Sequence, residues 1–420
     1  MLWTIARKEI VSNLLSYKFF IVILLTALLI FTSFFIMYRD YRARLADYQL
    51  IKPTPEQPIA VIPPNPLSIF AKGLEEAMTR SFEIGRIGIE VRAGQQSGNA
   101  IFSFFPSPDF LYVVRVVLSL VALLFGFDQV SKEKEGGTLR LMLSNSISRA
   151  KVLLGKWLGN YLSLAVPFLL VTALGFVLLN LDSSIRFFSG NLGRIALMIF
   201  FTLIYIALFL NLGIFISTLT RRSAASIVIL LFLWALLVFV IPNLGTLLAR
   251  QLVDVPSVTA LSEKRNQIWT REVLLGELER QKAQSDNTKT VDWRARYHEI
   301  NRENDELEAD YRNKFNRLVR LSKNINRISP AAGFVYAVTE IAGTGVGEER
   351  RLKEEIIRHK DLILNDFDRN IKQHPAFIYR YRTVGQILVE GGLFDAAWLL
   401  VFNILFFALS YFTFVRYDVR

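Results

Sequence analysis

Residues 223–249 read SAASIVILLFLWALLVFVIPNLGTLLA and contain no charged side chain. Five more runs are of the same kind, one of them with Arg115 as its single charge; they lie at 19–38, 110–127, 157–181, 195–220 and 396–415. Each run is long enough for a helix to cross the ~30 Å hydrocarbon core, which takes roughly 20 apolar residues. Because backbone N–H and C=O groups in that core must be paired within the protein, each run is predicted to be a helix. The sequence therefore predicts a membrane protein with six transmembrane helices.

The composition of the whole chain agrees with this class. Hydrophobic residues make up 52% of the 420 residues, and phenylalanine alone occurs 33 times. A soluble domain of this length would not carry so much apolar surface in unbroken runs. The runs also lack the period-two alternation of a membrane β-barrel. The first run lacks the small-residue cleavage site of a signal peptide. The predicted fold class is an all-α polytopic membrane protein.

The N-terminal residues 1–18 have the pattern of an amphipathic helix on the membrane surface. Their apolar positions recur at helical spacing, at Trp3, Ala6, Ile10, Leu14 and Tyr17. The alternative is that these residues simply lengthen the first span, because the same spacing would also fit a continuous helix.

Lysine and arginine concentrate in four short segments, which is the pattern of cytoplasmic loops. These segments are residues 1–18, the loop 128–156, the turn Arg221–Arg222 and the C-terminus with Arg416 and Arg420. Six spans place all four on one side, so both termini are predicted to be cytoplasmic and the chain to lie in the cell (inner) membrane. The outer side then receives residues 39–109, 182–194 and 250–395. The net charge of +12 follows from this arrangement and requires no nucleic acid.

The first outer segment, 39–109, begins with a polar, helix-like run and then carries six prolines between Pro53 and Pro66. Proline blocks a helix and favours extended chain. Glycines punctuate the remainder of the segment. The segment is therefore predicted to hold extended chain, a short helix and short strands.

The second outer segment, 250–395, is predicted to form a mainly helical extracytoplasmic domain. Apolar positions step by three and four alternately, with two polar breaks, through Tyr297, Ile300, Asn304, Leu307, Tyr311, Lys314, Leu318, Leu321, Ile325 and Ile328. A single helix through these positions would be ~48 Å long. A preceding run repeats at seven residues, which predicts a helical hairpin standing on the membrane. A compact helical bundle is the alternative. A third helix is predicted over 348–371, and the apolar run 334–342 is expected to lie flat at the outer interface.

Several kinds of site are not expected in this chain. It has no cysteine, so no thiolate metal site can form. The pair His298-Glu299 resembles the start of a zinc-protease motif, but the residue at the position of the second histidine is Arg302. No phosphate-binding P-loop occurs, so the chain is expected to hold no cofactor and to have no catalytic site of its own. Asn211 and Asn403 are polar residues deep within the spans, and each is predicted to make an interhelical hydrogen bond rather than to bind a substrate.

The loop between the second and third spans carries the functional argument. Residues 132–149 read KEKEGGTLRLMLSNSISR. The loop is an amphipathic element broken by Gly136-Gly137, and its leucines at 139, 141 and 143 are predicted to pack against something other than water. Over 129–160 it resembles the first cytoplasmic loop of ABC type-2 exporter permeases, in which an acidic residue precedes Gly-Thr-Leu and an Ile-Ser-Arg turn follows. Ser146 replaces the proline that is usual in that turn. The large outer segments resemble the subgroup with extracytoplasmic insertions.

This resemblance implies a mechanism in which two six-span subunits each dock on a separate ATP-binding subunit. The resemblance gives as candidates for the coupling interface Glu133, Glu135, Gly136, Gly137, Thr138, Leu139, Arg140, Ser148 and Arg149. ATP would be bound by the partner subunit, and its hydrolysis would drive export of a lipid, polysaccharide or peptide, or work on an extracytoplasmic protein partner. Other implied partners are a second permease subunit, identical or not, and membrane lipid. The alternative is a membrane scaffold or sensor that organises outer proteins without transport.

Overall fold

The computed structural model covers the whole chain and describes residues 1–50, 59–78, 81–85, 88–92, 108–144, 148–182, 190–286, 292–369, 374–387, 389 and 393–416. The helices of the first half are α1 Leu2–Leu14, α2 Tyr17–Leu50, α3 Glu75–Met78, α4 Phe110–Glu135, α5 Thr138–Ser144, α6 Arg149–Leu179 and α7 Leu192–Leu219. Those of the second half are α8 Ser223–Leu252, α9 Val258–Asp286, α10 Trp293–Asn326, α11 Pro330–Ala342, α12 Val346–Asp368, α13 Val384–Ile387 and α14 Leu393–Val415. A 3-10 turn spans Pro66–Ile69.

Six of these helices are long and apolar enough to cross a membrane, among the residues that the structure describes. They are α2, α4, α6, α7, α8 and α14, and each covers all or nearly all of one of the predicted runs. The fold class predicted from the sequence, an all-α polytopic membrane protein with six spans, is therefore confirmed. The helices extend beyond the apolar runs: α2 continues to Leu50 and α4 to Glu135. Helix α1 is separate from α2, because the helical conformation is interrupted at Leu15–Ser16.

The described residues of the loop 128–156 and the 220–222 turn lie together at one end of the bundle, which we call the loop end. The described residues of 250–395 lie at the other end, which we call the domain end, and α11 among them enters the bundle. Helix α7 is the most buried span and runs through the centre of the bundle. It crosses α4 where Gly126 faces Gly213, and a side chain at either position would collide with the other backbone. Such contacts between small residues allow close helix packing in a membrane.

Asn211 and Asn403 make interhelical hydrogen bonds, as predicted, and they bond to each other. Asn211 Nδ2 on α7 donates to Asn403 Oδ1 on α14 over 3.0 Å, and Asn403 Nδ2 donates to the carbonyl of Ile204. A hydrogen bond of this kind satisfies amides that lipid cannot pair. It holds α7 and α14 in a fixed register at mid-bundle.

Helix α11 corrects the prediction that residues 334–342 lie flat at an interface. It is almost completely buried and packs between α7 and α14. Phe334 stacks on Tyr205 of α7 with ring centroids 4.2 Å apart. The prediction failed because an apolar run shows that a helix must be covered, but not which neighbours cover it. The helix is capped by Ser329 at its start and by Gly343, with φ +77°, at its end.

A three-stranded antiparallel sheet belongs to the domain end. Its strands are β1 Ile59–Ala60, β2 Ser81–Gly85 and β3 Gly88–Arg92, in the order β1-β2-β3. One small core joins the first outer segment to the second, because Ile62 and Phe82 pack with Leu352 and Ile356 of α12. The first and second predicted outer segments therefore form one body. The proline-rich residues 51–58 lie outside the described residues.

Helices α9 and α10 pack together as a hairpin. Arg265 of α9 lies 3.5 Å from Glu308 of α10, and Trp269 stacks on Tyr297 with centroids 6.4 Å apart. The last part of α8 packs along the base of α10. The predicted seam is only partly buried: Ile300 and Asn304 are buried, whereas the leucines are half-buried, and Lys314 and Ile328 are exposed.

Candidate functional site

The candidate site begins where α4 ends at the loop end. Gly136 terminates the helix, and Gly137 has φ +69°, a conformation that favours glycine because side chains are strained there. The chain then starts α5 at Thr138, whose hydroxyl donates to the carbonyl of Glu133 over 3.4 Å. The paired glycines therefore make a tight turn that sets the direction of α5.

The end of α4 is bonded to the turn between α7 and α8. The backbone N–H groups of Val130 and Ser131 each donate to Ser217 Oγ over 3.0 Å. Lys134 Nζ donates to the carbonyl of Thr218. The N–H of Ser223, at the start of α8, donates to Glu135 Oε2 over 3.2 Å, so this carboxylate caps the N-terminus of a helix. The loop is thus fixed to three spans.

A buried ionic junction joins the loop to α1 and α6. Lys156 Nζ lies 2.7 Å from Glu133 Oε1 and 3.3 Å from Glu9 Oε1. Lys156 is only 3% exposed, so it lies in a setting where an ion pair is weakly screened by solvent. One ammonium group therefore connects the N-terminal helix, the loop and the third span.

Small residues bring α1 close enough for this junction. A Cβ atom on Gly159 would lie 2.6 Å from Glu9 Cβ, and one on Gly155 would lie 2.8 Å from Ile5 Cβ. Beside the junction, Asn160 Oδ1 accepts from Asn13 Nδ2 over 2.9 Å and from Gln129 Nε2 over 3.2 Å. The face of α6 that meets α1 therefore alternates small residues with polar ones.

The second half of the loop meets the last span. Ser148 is exposed and precedes α6, and the guanidinium group of Arg149 donates to the carbonyl of Val415 at the end of α14. Residues 145–147, which include Ser146, lie outside the described residues. The loop end thus contacts the sixth span as well.

The predicted interface residues divide into an exposed set and a set held within the bundle. The exposed residues are Glu135, Gly136, Gly137, Thr138 and Ser148. Glu133 and Arg149 are half-buried, and Leu139 is only 1% exposed. Arg140 belongs to α5, but its side chain is outside the described part of the structure. Leu141 is 71% exposed, so the prediction that it packs against something other than water is left to a partner outside this chain, and the side chain of Leu143 lies outside the described structure.

Sequence reasoning missed Glu9, Lys156 and Asn160. The one usable signal was Gly155-x-x-x-Gly159, a spacing that brings two membrane helices together. This spacing does not identify the partner helix, because the contact between α1 and α6 joins residues that are about 150 positions apart in the chain. In the part of the chain that the structure describes, no three His, Cys, Asp or Glu residues are grouped as a metal site would require.

The described residues form six helices that are long and apolar enough to cross a membrane, with an anchored loop after the second. The model of the family described as ABC-2 family transporter protein matches residues 3–419, and the chain belongs to that family. It is a multi-pass transmembrane permease of an ABC transporter. Permeases of this family in general work with an ATP-binding subunit and as dimers, and they are generally not catalytic.

Two relatives carry the name "Probable ABC transporter permease protein NosY". The protein from Stutzerimonas stutzeri is 32% identical over 96 residues, which is 22% of this chain and 35% of the relative. The protein from Pseudomonas aeruginosa is 33% identical over 102 residues, or 24% of this chain and 36% of the relative. The chain therefore matches about a third of the length of these relatives.

Proposed function

We propose that this permease transmits the energy of ATP hydrolysis from a separate ATP-binding subunit through residues 133–149. The observation that carries the proposal is the exposed stretch from Glu135 to Thr138, followed by the exposed Leu141, on a loop that is bonded to several spans. A large exposed leucine on a helix that follows an anchored turn suits a protein partner. The ATP would be bound by that partner, and this chain would hold no cofactor.

The bonds at the loop end support a route for the motion. A displacement of α5 would act on α4 through the Gly136-Gly137 turn. From there the junction of Glu133, Lys156 and Glu9 would carry it to α1 and α6, and Ser217 and Ser223 would carry it to α7 and α8. Arg149 would carry it to α14. In the proposed mechanism α4, α6, α7, α8 and α14 then move together, since these five spans are bonded through the same loop.

We propose that the loop end faces the cytoplasm, with both termini on that side and the chain in the inner membrane. The basic residues of the loop end support this orientation. The domain end would then meet an extracytoplasmic partner or substrate. Transport of a lipid, polysaccharide or peptide, or work on an outer protein, would be done by a dimer of such subunits.

The proposal is tested by co-purification with a candidate ATP-binding subunit. Leu141→Asp should reduce recovery of that subunit about tenfold or more, because a charge replaces the apolar contact at the centre of the interface. The matched control is Leu274→Asp, which changes an exposed leucine on α9 at the domain end. Equal recovery with wild type and both variants would contradict the proposal and would favour the scaffold alternative, in which no ATP-binding subunit docks on the loop.

A further inference from the structure

One arginine lies inside a span. Arg115 is the only charged residue in the six apolar runs, and it lies about 8 Å along α4 from Phe110, where the run begins. Charged side chains at such a depth are rare and mark functional contacts, because an unpaired charge in hydrocarbon is costly. Arg115 is therefore the charge of the membrane region that needs a partner.

The backbone at Arg115 is fixed by contacts among three helices. Residues Val113–Leu118 form a π-turn, a wider turn that occurs frequently at functional sites. The carbonyl of Arg115 accepts from the hydroxyl of Tyr205 on α7 over 3.0 Å and from Ser119 Oγ over 2.5 Å. Ser119 Oγ in turn accepts from Trp234 Nε1 of α8 over 2.9 Å. These neighbouring polar groups are bonded to the backbone or to each other, and not to the guanidinium group.

The guanidinium group of Arg115 has unused hydrogen-bond donors. Its Nε is buried and has no hydrogen-bond partner within the described part of the chain. Asp109 acts on Arg115 through its charge, but its oxygens accept from the N–H groups of Tyr112 and Lys72 over 2.7 and 3.0 Å. The sequence 93–107, which precedes this helix, contains no Asp or Glu. The donors are thus open to a partner outside this chain.

This side of α4 reaches the surface of the subunit. Tyr112 is 43% exposed, and Arg115 and Val116 are half-buried. The guanidinium carbon lies 5.5 Å from the centroid of the Tyr112 ring. Such a contact engages the flat face of the guanidinium group and leaves the N–H donors at its edge free. A tyrosine at this level is typical of the zone where hydrocarbon meets the lipid headgroups.

We propose that Arg115 binds the phosphate group of a glycerophospholipid in the leaflet at the domain end. Phosphate is the anion that borders the hydrocarbon in a phospholipid leaflet, and a guanidinium group matches it through two parallel N–H···O bonds. The arginine stem can stay in the apolar layer while its charged end turns towards the headgroups. Inorganic phosphate has the same chemistry but no acyl chains, so the apolar surface beside Val116 would not retain it.

The site is independent of the coupling that we propose at the loop end. Arg115 belongs to the half of α4 that is nearer to the domain end, whereas the coupling loop follows the other end of this helix. Loss of the ATP-binding subunit would leave the lipid contact unchanged, so the two proposals fail separately.

Lipid binding is tested by native mass spectrometry of the purified full chain in a non-ionic detergent, titrated with dioleoylphosphatidylglycerol. The wild type should retain one phospholipid at lower concentration than any further ones. Arg115→Met should retain that lipid about tenfold more weakly, because the paired donors are lost. Arg115→Lys keeps the charge but not the paired donors, so its affinity should lie between the two.

The matched control is Arg39→Met, which changes an exposed arginine just beyond the first run, at the domain end of α2. Arg39 also lies over an aromatic ring, that of Phe35, at 5.9 Å from its centroid. This variant should bind the lipid as the wild type does. Equal lipid affinity of wild type and Arg115→Met, or equal losses in Arg39→Met and Arg115→Met, would overturn the proposal.

Two competitors identify the part of the lipid that is bound. Dioleoylglycerol has the same acyl chains without the phosphate, and inorganic phosphate has the anion without the chains. Neither should displace phosphatidylglycerol from the wild type at large excess. Displacement by dioleoylglycerol would show a site for acyl chains alone, and displacement by inorganic phosphate would show a simple anion site. Either result would contradict the proposal.

Thermal unfolding separates a lipid contact from a structural role of Arg115. Without lipid, Arg115→Met should unfold at or above the wild-type temperature, because an apolar side chain replaces a group whose buried donor is unpaired. Added phosphatidylglycerol should raise the unfolding temperature of the wild type and leave that of the variant unchanged, since a ligand stabilises the state that binds it. An equal rise in both proteins, or a variant that unfolds well below the wild type without lipid, would contradict the proposal.

Discussion

Lys156 Nζ lies 2.7 Å from Glu133 Oε1, and this ion pair joins the third span to the loop that follows the second. Glu9 adds a second carboxylate 3.3 Å away. Removal of one member of a buried pair leaves its partner charged without compensation, which is costly. The junction is therefore a feature that holds the loop end together, whatever docks on it.

Because of this junction, substitutions of two lysines on α6 should have unequal effects on stability. Lys156→Met should lower the free energy of unfolding by about 3 kcal/mol, because Glu133 and Glu9 lose their common partner. Lys151→Met changes an exposed lysine and should leave the denaturation midpoint unchanged. Chemical denaturation in detergent measures both, and equal midpoints for the two variants would show that the junction contributes nothing.

Asp395 predicts a similar effect at the domain end. This buried carboxylate at the start of α14 lies 2.8 Å from Lys323 Nζ and 2.7 Å from Arg327 Nε, both at the base of α10. Asp395→Ala should destabilise the protein by about 3 kcal/mol and loosen the hairpin, since two partly buried cations lose their partner.

The matched control is Asp310→Ala, which breaks an exposed pair with Lys314 on α10, the helix that carries Lys323. Surface pairs contribute little, so this variant should unfold at the wild-type midpoint. Limited proteolysis measures the hairpin directly: α9 and α10 should be cleaved faster in Asp395→Ala only. Identical digestion of both variants would contradict the assignment.

Glu75 predicts a pH dependence of stability. Burial raises the pKa of this carboxyl to about 7, although Arg44, 3.4 Å away, and the N–H of Asn65, 2.6 Å away, act in the opposite direction. Asp40 and Tyr381 also lie near enough to influence it. Between the ordinary carboxyl pKa near 4.5 and about 7, the folded state binds more protons than the unfolded state, so stability should fall as pH rises.

Thermal unfolding at several pH values between 4.5 and 7.5 measures this effect. The side chain at position 75 of the variant Glu75→Gln cannot ionise, so the fall in stability with rising pH that is due to Glu75 should be absent. The amide oxygen of the new side chain can still accept the hydrogen bond from the N–H of Asn65. A wild-type unfolding temperature that rises between pH 4.5 and 7.5, relative to that of Glu75→Gln, would contradict the predicted direction of the pH dependence. The chosen control is Glu354→Gln, because Glu354 is exposed and its replacement should retain the wild-type profile.

Cysteine labelling tests the proposed orientation. The chain has no cysteine, so single thiols can be placed at the exposed positions Ser148 and Asn313 without background. In cells with a permeable outer layer, an impermeant maleimide should label the thiol at 313 and spare the one at 148. The reverse pattern would place the loop end outside and would exclude contact with a cytoplasmic ATP-binding subunit.

The spans were predictable because exclusion of charge from a lipid core is a local property of the sequence. The same is true of the hairpin helices, which follow from the spacing of their apolar positions. The position of α11 was not predictable, since an apolar run from Phe334 onward is equally compatible with an interface and with a site between two spans. Which of these applies depends on Tyr205 and on neighbours far away in sequence.

The conformation of the loop was predictable in part, but the bonds that hold it were not. The glycine turn at Gly137 and the buried Leu139 follow from the loop motif. The pairing of Glu133 with Lys156 does not, because the two charges are 23 residues apart and meet only when α4 and α6 are packed.

Coupling through the loop is tested most directly by the ATPase rate of the partner subunit, measured with and without the reconstituted permease. Gly137→Val should abolish the permease-dependent change in that rate, because valine is strained at φ +69° and would redirect α5. Gly190→Val is the matched control, since Gly190 has φ +81° with open space around it, as Gly137 has, but belongs to the loop at the other end of α7. We predict that only Gly137→Val uncouples the ATPase; wild-type coupling in both variants would contradict the mechanism.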